Sequence, residues 1–202
     1  MSILVTAFEP FDGDTSNITD DILREISQEE FADERDVTFL TLPVSRCDAL
    51  PSLITAIEAH NPDTIICLGQ ANDRSELGVE KVAINLCCYR IPDNAGEQPT
   101  DEPVVADGPA AYFSTLPIDT LLDCLIAGGI PASTSYSAGT YVCNSLFYGL
   151  MHHIEEKSLG VRAGFIHVPR GPLPPSSDAE ENLAVMTKAV KLVIKKSLAS
   201  AD

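Results

Sequence analysis

The sequence predicts an α/β fold, a single three-layer α/β/α domain with a mostly parallel, mixed central sheet. Short apolar runs alternate with amphipathic helical patterns along the chain. The run at 63–69 is apolar on both faces, as in the middle of a parallel sheet. The 202 residues, 45% of them hydrophobic, suit one domain over 1–202. Because active sites of such folds collect at the carboxyl ends of the strands, we expect functional side chains there.

In the first half of the chain, apolar strands are separated by polar turns and amphipathic helices. The helix that ends before Pro62 is predicted by apolar residues at helical spacing. The predicted elements are strand 3–7, helix 20–27, strand 37–42, helix 48–59 and strand 63–69. An extended segment at 79–90 has alternating character. Residues 92–111 are rich in Pro, Gly and Asp and predict a long functional loop.

The second half continues the alternation. The predicted elements are helix 118–127 before Gly128-Gly129, strand 133–137, a helix that begins near Cys143, strand 161–168 and a final helix. A Ser177-x-x-Glu180 capping box indicates where the final helix begins. No G-x-G-x-x-G or Walker motif occurs, which disfavours a nucleotide-binding version of the fold.

Charge excludes several classes of partner. Thirty acidic residues against thirteen basic ones give a formal net charge of -17. Such a surface repels phosphate backbones and anionic lipids, so we expect neither nucleic acid nor membrane as a partner. No apolar run is long enough to span a membrane, and the first residues do not resemble a signal peptide. We therefore expect a cytoplasmic protein.

Cys143 is the cysteine whose position favours a role as a nucleophile. The chain has six cysteines, none in a CxxC pair or at zinc-finger spacing, so we expect no metal. Cys143 begins an amphipathic helical pattern over 143–154. The partial positive charge and unpaired N–H groups of a helix N-terminus favour a thiolate, which is the nucleophilic form. The alternative is a buried core cysteine.

A cysteine hydrolase also needs a base and a group that orients the base. Of the four histidines, His167 alone is predicted at the carboxyl end of an apolar strand, where active sites collect. A core histidine is the alternative for this position. Glu80 lies among apolar residues and would be costly to bury without a partner such as an imidazole. Many other carboxylates leave this third assignment open.

A series of motifs covers nearly the whole chain. In order they are ILVTAFEPFDG at 3–13, GQANDR at 69–74, VEKVAIN at 79–85, RIPDNAGEQPTDEPV at 90–104, SAGTYVCN at 137–144 and GFIHVP at 164–169. Together they resemble the pyroglutamyl peptidase I family, also called pyrrolidone-carboxylate peptidases, which are cytosolic cysteine peptidases. The resemblance implies a catalytic triad of Glu80, Cys143 and His167.

The resemblance further implies removal of an N-terminal pyroglutamate from peptides or proteins, without metal or organic cofactor. It implies that Arg90 and the backbone N–H of Cys143 stabilise the oxyanion. The residues that it implies around the lactam ring are Phe8, Phe11, Asn17, Gln70, Ile91 and Val142, with Val44 less securely aligned. A homo-oligomer, tetramer or dimer, is also implied.

Departures from the family pattern lie near these motifs. Asn72-Asp73 replaces a pair of glycines, Ser145 replaces a histidine, and Arg170-Gly171 follows GFIHVP in place of an aromatic residue and leucine. Their effect on specificity stays open. One alternative is a catalytically silent binding or regulatory homologue. A less favoured alternative is an enzyme similar to nucleoside phosphorylases, which would need a phosphate site.

Overall fold

The computed structural model describes residues 1–28, 37–171 and 178–199. In these ranges the strands are β1 (Ile3–Phe8), β2 (Val37–Leu42), β3 (Thr64–Ala71), β4 (Leu77–Glu80), β5 (Val82–Ile84), β6 (Ala111–Phe113), β7 (Ala132–Ser135) and β8 (Arg162–Pro169). The helices are α1 (Ile18–Gln28), α2 (Ala49–His60), α3 (Ile118–Ala127), α4 (Val142–Glu156) and α5 (Ala179–Ala199). None of the helices described is both long and apolar enough to cross a membrane.

The main sheet has six strands in the order β2-β1-β3-β8-β4-β7. Its neighbouring strands are parallel except for β4 and β8, which are antiparallel. Both β3 and β1 are buried along their whole length, as expected for strands covered on two faces. The predicted mixed, mostly parallel α/β fold is confirmed.

Two hydrophobic cores lie on opposite faces of this sheet. One contains Val5 of β1 and Ile22 of α1, together with side chains of α3 and α5. The other contains Leu4 of β1 and Leu53 of α2, together with side chains of α4. Successive residues of a strand point to opposite faces, so β1 contributes to both cores. The helices therefore form the two outer layers.

The segment predicted as one extended stretch at 79–90 is divided in the structure. Glu80 ends β4 in the main sheet, whereas β5 pairs with β6 in a separate two-stranded sheet. Lys81 lies at the division: its N–H donates to the Ser135 carbonyl at 2.7 Å, and its carbonyl accepts from the Ser114 N–H at 3.0 Å. Lys81 thus bonds to a different neighbour on each side, at the point where the chain passes from one sheet to the other.

The capping box predicted at Ser177 lies outside the described residues. Asp178 performs the capping of α5, since its Oδ1 accepts from the Glu181 N–H at 2.9 Å. The first turn of α5 also carries Glu180 and Glu181, whose charges suit a helix N-terminus.

Loop 92–111 is fastened to the rest of the protein near its start. Asp93 is buried, and its carboxylate accepts from the backbone N–H groups of Arg46, Ala95 and Glu97 at 2.7–2.9 Å. Asn94 Nδ2 donates to Glu9 Oε1 at 2.8 Å, next to the turn that follows β1. These bonds hold the turn after β1 against the loop.

Candidate active site

A cavity of about 590 Å³ opens at the carboxyl ends of β3 and β8. Every predicted site residue except Glu80 lines it: Phe8, Phe11, Asn17, Gln70, Arg90, Ile91, Val142, Cys143 and His167, with Val44 beside them. Glu80 contacts His167 and does not line the cavity itself. Within the described residues, no three His, Cys, Asp or Glu side chains cluster as a metal site would require.

The imidazole of His167 is held by Glu80. His167 Nδ1 lies 2.7 Å from Glu80 Oε1, and the Glu80 side chain is fully buried. A carboxylate only accepts hydrogen bonds, so Nδ1 carries a proton and Nε2 is the nitrogen that has the lone pair in the neutral imidazole. The Phe165 ring, 4.9 Å from the imidazole between centroids, packs against it. The arrangement leaves His167 equipped to accept a proton at Nε2.

Cys143 occupies the second position of α4, at the cavity. Tyr141, the residue before the helix, makes no side-chain capping bond, so backbone N–H groups of the first turn face the site uncapped. A Cβ added at Gly69 would lie 2.9 Å from Cys143 Sγ, which places the sulfur directly over Gly69. Gly69 is the register partner of His167 across the β3–β8 boundary. The structure therefore brings Cys143 and His167 to adjacent positions of one cavity.

The pKa of the Cys143 thiol is shifted in the direction opposite to the sequence expectation. Desolvation by the surrounding protein, together with the negative charge of Glu80, raises the pKa of the Cys143 thiol to about 12. The backbone N–H of Cys143 and the charge of Arg74 lower this pKa, but less strongly. The helix N-terminus alone predicted the opposite direction. Burial therefore opposes the effect of the helix N-terminus on this sulfur and favours the thiol form.

Aromatic side chains form one wall of the cavity. Phe8 is buried, whereas Phe11 is only half-buried and approaches Tyr141 with ring centroids 6.1 Å apart. Tyr141 in turn packs on Tyr89 at 4.7 Å, and its hydroxyl donates to the Pro92 carbonyl at 3.0 Å. Sequence reasoning did not identify Tyr141 as a lining residue, although the quoted motif SAGTYVCN contains it. Its contact with Pro92 joins the wall to loop 92–111.

The two predicted amide side chains are fixed by internal hydrogen bonds. Asn17 Oδ1 accepts from the Thr19 N–H at 3.0 Å and caps α1. Gln70 Oε1 accepts from the Ile18 N–H at 3.0 Å, and Gln70 Nε2 donates to Asn72 Oδ1 at 3.0 Å. These two partners fix the orientation of the Gln70 amide, with its oxygen towards Ile18 and its nitrogen towards Asn72. Asn17 therefore supports the cavity, and Gln70 presents an oriented amide to it.

Arg90 lies at the mouth of the cavity and is exposed. Its carbonyl accepts from Gln98 Nε2 at 3.1 Å. In the part of the chain that the structure describes, its guanidinium has no hydrogen-bond partner. The structure thus leaves this cation available at the cavity without joining it to Cys143.

Sequence reasoning missed Arg74, which also lines the cavity. Arg74 Nη2 lies 2.8 Å from Glu80 Oε1, the same oxygen that His167 contacts. The motif GQANDR could have indicated this role. It places an arginine three residues after the end of β3, at the sheet edge where the site lies. Arginine was not considered as a partner for the buried glutamate.

The departures from the family pattern divide into two groups. Asn72 and Asp73 line the cavity. Ser145 does not line it and bonds to the Tyr89 hydroxyl at 2.9 Å. Arg170 pairs with Asp14 at 2.8 Å, also outside the cavity lining. Only the first pair of changes therefore alters the cavity surface.

Comparisons with known proteins show the family to which this chain belongs. A model of the family described as pyroglutamyl peptidase matches residues 1–198. The pyrrolidone-carboxylate peptidase of Vibrio vulnificus is 42% identical over 185 residues, which cover 92% of this chain and 86% of that protein. The pyrrolidone-carboxylate peptidase of Bacillus subtilis is 46% identical over 170 residues, 84% of this chain and 79% of that protein.

Solved structures give the same result. The crystal structure of pyroglutamyl peptidase I from Bacillus amyloliquefaciens has a TM-score of 0.89 and 39% identity, covering 100% of this chain and 98% of that one. A structure of pyrrolidone carboxyl peptidase from Pyrococcus furiosus has a TM-score of 0.85 and 38% identity, with coverage of 98% and 99%. The resemblance predicted from the motifs is confirmed, and the nucleoside phosphorylase alternative is not supported. The chain belongs to the pyroglutamyl peptidase family of cysteine peptidases.

Proposed function

We propose that this protein hydrolyses the amide bond after an N-terminal pyroglutamate, with Cys143 as nucleophile, His167 as general base and acid, and Glu80 as the group that orients His167. The observation that carries the proposal is the 2.7 Å contact between His167 and buried Glu80 beside a cavity that Cys143 lines. Membership of the pyroglutamyl peptidase family supports the choice of substrate.

The cavity suits a flat, uncharged lactam ring. Phe8, Phe11, Ile91 and Val142 offer apolar walls to the ring carbons. The oriented amide of Gln70 offers a fixed polar group to the lactam N–H and C=O. A glutamyl residue would bring a charged amino group and a charged carboxylate against these apolar walls, where both would lose hydration. We therefore expect pyroglutamyl substrates to be preferred over glutamyl ones.

The first half of the reaction forms the acyl-enzyme. Since burial raises the pKa of the Cys143 thiol, His167 Nε2 accepts its proton as Cys143 Sγ attacks the carbonyl carbon of pyroglutamate. Glu80 stabilises the imidazolium that forms. The oxyanion receives the backbone N–H of Cys143, and Arg90 is placed to add a charged donor. Loss of one donor of this kind typically raises the barrier by about 3–4 kcal/mol.

The second half releases both products. The imidazolium of His167 gives its proton to the leaving amine as the C–N bond breaks, which leaves a thioester on Cys143. Water then adds to the thioester while His167 accepts one of its protons. Cleavage of the C–S bond yields free pyroglutamate, and the proton held by His167 returns to the sulfur. One water is consumed, and no cofactor enters the balance.

Hydrolysis of a fluorogenic pyroglutamyl amide, compared with the prolyl and glutamyl amides, tests the proposal. We expect turnover of the pyroglutamyl amide alone, under reducing conditions. Cys143→Ala should abolish turnover with an unchanged circular dichroism spectrum, and Cys124→Ala on α3 is the matched control. No turnover by the pure, reduced wild-type protein would favour the catalytically silent binding homologue.

We also propose, from the family resemblance, that the protein is cytoplasmic and forms a homo-oligomer, either a dimer or a tetramer. Peptides and proteins with N-terminal pyroglutamate are its proposed partners. Light scattering on the purified protein measures the subunit number directly, and a monomer at micromolar concentration would contradict the oligomer.

A further inference from the structure

We propose that Arg74 is a positioning residue of the active site, which holds Glu80 as an oriented carboxylate and keeps His167 a neutral base. This inference rests on the proposed function, because it assigns Arg74 a role in that reaction. Arg74 acts through Glu80 and is not assigned a contact with the substrate.

The guanidinium of Arg74 is held at several points. Its Nη2 donates to Glu80 Oε1 at 2.8 Å, to Ser135 Oγ at 2.9 Å and to the Ser137 carbonyl at 3.1 Å. Three quarters of the side chain is buried, with 25% exposed at the cavity. A cation fixed by a carboxylate, a hydroxyl and a carbonyl has little freedom to leave Glu80.

The sheet provides a place for this cation. Gly78 is opposite His167 in the antiparallel β4–β8 pair, so a side chain at 78 would point to the same face as the imidazole. A Cβ added at Gly78 would overlap Arg74 Nη1. The glycine therefore leaves the space beside His167 that the Arg74 guanidinium fills.

Glu80 needs a fixed cation because its carboxylate has few other partners. Glu80 is 0% exposed, and its Oε2 is buried without a hydrogen-bond partner among the described residues. Both Arg74 Nη2 and His167 Nδ1 contact the other oxygen, Oε1. With a permanent cation already on Oε1, the carboxylate stays ionised when His167 is neutral.

The same cation affects His167. Glu80 on β4 bonds to the imidazole, and Asp73, Arg74, Arg90 and Cys143 line the same cavity as His167, with Cys67 on β3 acting on Cys143. Of these, Arg74 is the cation bonded to Glu80, and its charge opposes the stabilisation of an imidazolium by that carboxylate. Loss of Arg74 would therefore make His167 retain its proton to higher pH. A protonated His167 cannot accept the proton of Cys143.

The pH dependence of kcat/KM separates this role from a purely structural one. Arg74→Gln should lower kcat by at least 10-fold with little change in KM, and should move the acidic limb of the profile to higher pH by about one unit. Arg74→Lys should keep the limb near its wild-type position, because the charge is retained. The matched control is Arg46→Gln, which removes a 2.8 Å ion pair with Glu102 from an arginine that is also 25% exposed. Arg46→Gln should change neither kcat nor the position of the acidic limb.

A second variant leaves Arg74 in place. Gly78→Ala adds the methyl group that overlaps the guanidinium and should produce the same upward shift of the acidic limb. If Arg74→Gln and Gly78→Ala both reduce activity without moving the limb, or if Arg74→Gln retains wild-type kcat, the inference is overturned.

A readout without turnover distinguishes this inference from the proposed function. The NMR titration of the His167 ring, assigned by its absence in His167→Ala, should shift to higher pH in Arg74→Gln. Such a shift in a protein that hydrolyses no pyroglutamyl amide would support the role of Arg74 and contradict the function. Wild-type hydrolysis with an unshifted His167 titration in Arg74→Gln would contradict the role of Arg74 alone.

Discussion

Gly69 and His167 face each other across the boundary between β3 and β8, and the sulfur of Cys143 lies over the glycine. A Cβ at this position of β3 would crowd both the Phe165 ring and Cys143 Sγ, so the sulfur can lie here only because residue 69 is glycine. The close approach of the α4 N-terminus to β3 thus depends on the absence of a Cβ at Gly69.

Gly69→Ala should damage both activity and stability. The added Cβ would lie 2.7 Å from the Phe165 ring and 2.9 Å from Cys143 Sγ, so the ring or the helix terminus must move. Overpacking of this kind costs about 1–3 kcal/mol, and the displaced thiol should lower kcat. Urea unfolding and steady-state kinetics measure the two effects. Gly160→Ala is the control, since nothing lies within 4 Å of its added Cβ. Equal behaviour of the two variants would contradict the close approach.

His167→Ala should be more severe than Glu80→Gln. The first removes the proton acceptor, a contribution of roughly 100- to 10,000-fold, whereas the second removes only orientation and charge support. We expect kcat/KM of the pyroglutamyl amide to show this order. His60→Ala, at the exposed end of α2, should match the wild type. The reverse ranking would require the two roles to be reassigned.

Alkylation of Cys143 by iodoacetamide should keep accelerating as the pH rises well above neutrality. With the pKa of the thiol raised to about 12, the thiolate fraction grows about tenfold per pH unit through the alkaline range. Mass spectrometry of a variant with Cys47→Ala, Cys88→Ala and Cys124→Ala, in which the other remaining cysteines, Cys67 and Cys87, are buried, measures the rate at Cys143. A rate that levels off near neutral pH would instead indicate a preformed thiolate paired with imidazolium.

Asn72→Gly should raise KM with a smaller effect on kcat. Asn72 Oδ1 accepts the hydrogen bond that orients the Gln70 amide towards the cavity. A hydrogen bond of this kind contributes about 0.5–1.5 kcal/mol, so a rise of about 2- to 10-fold in KM is expected. Asn72→Asp keeps an acceptor oxygen at the same place and should retain most of the affinity. A KM unchanged in Asn72→Gly would show that Gln70 needs no support from this residue.

Much of the fold could be predicted from local patterns. Helix 118–127 and strand 37–42 were predicted with the bounds that the structure has, because an apolar face and clear end signals define them locally. The segment 79–90 was predicted wrongly as continuous. Its division at Lys81 depends on hydrogen bonds to Ser114 and Ser135, which are distant in sequence.

In the candidate site, too, some residues could be identified from local sequence, whereas others depend on contacts between distant parts of the chain. Cys143 and His167 were identifiable from their positions at a helix start and a strand end. Glu80 was only one carboxylate among many until the resemblance selected it, since burial beside His167 is a property of the folded sheet. Arg74 was missed because its role depends on the space over Gly78, and a local sequence window does not show which strands are neighbours.

Fastening of loop 92–111 by Asp93 and Asn94 means that this support of the lactam cavity is ordered during folding and not when a substrate arrives. Binding then loses little conformational entropy in this region. We therefore expect substrate to bind to a preformed site with little induced fit. Because Asn94 also bonds to Pro10, the turn that carries Phe11 is fixed before binding, and a six-membered homologue of pyroglutamate should be disfavoured by its size.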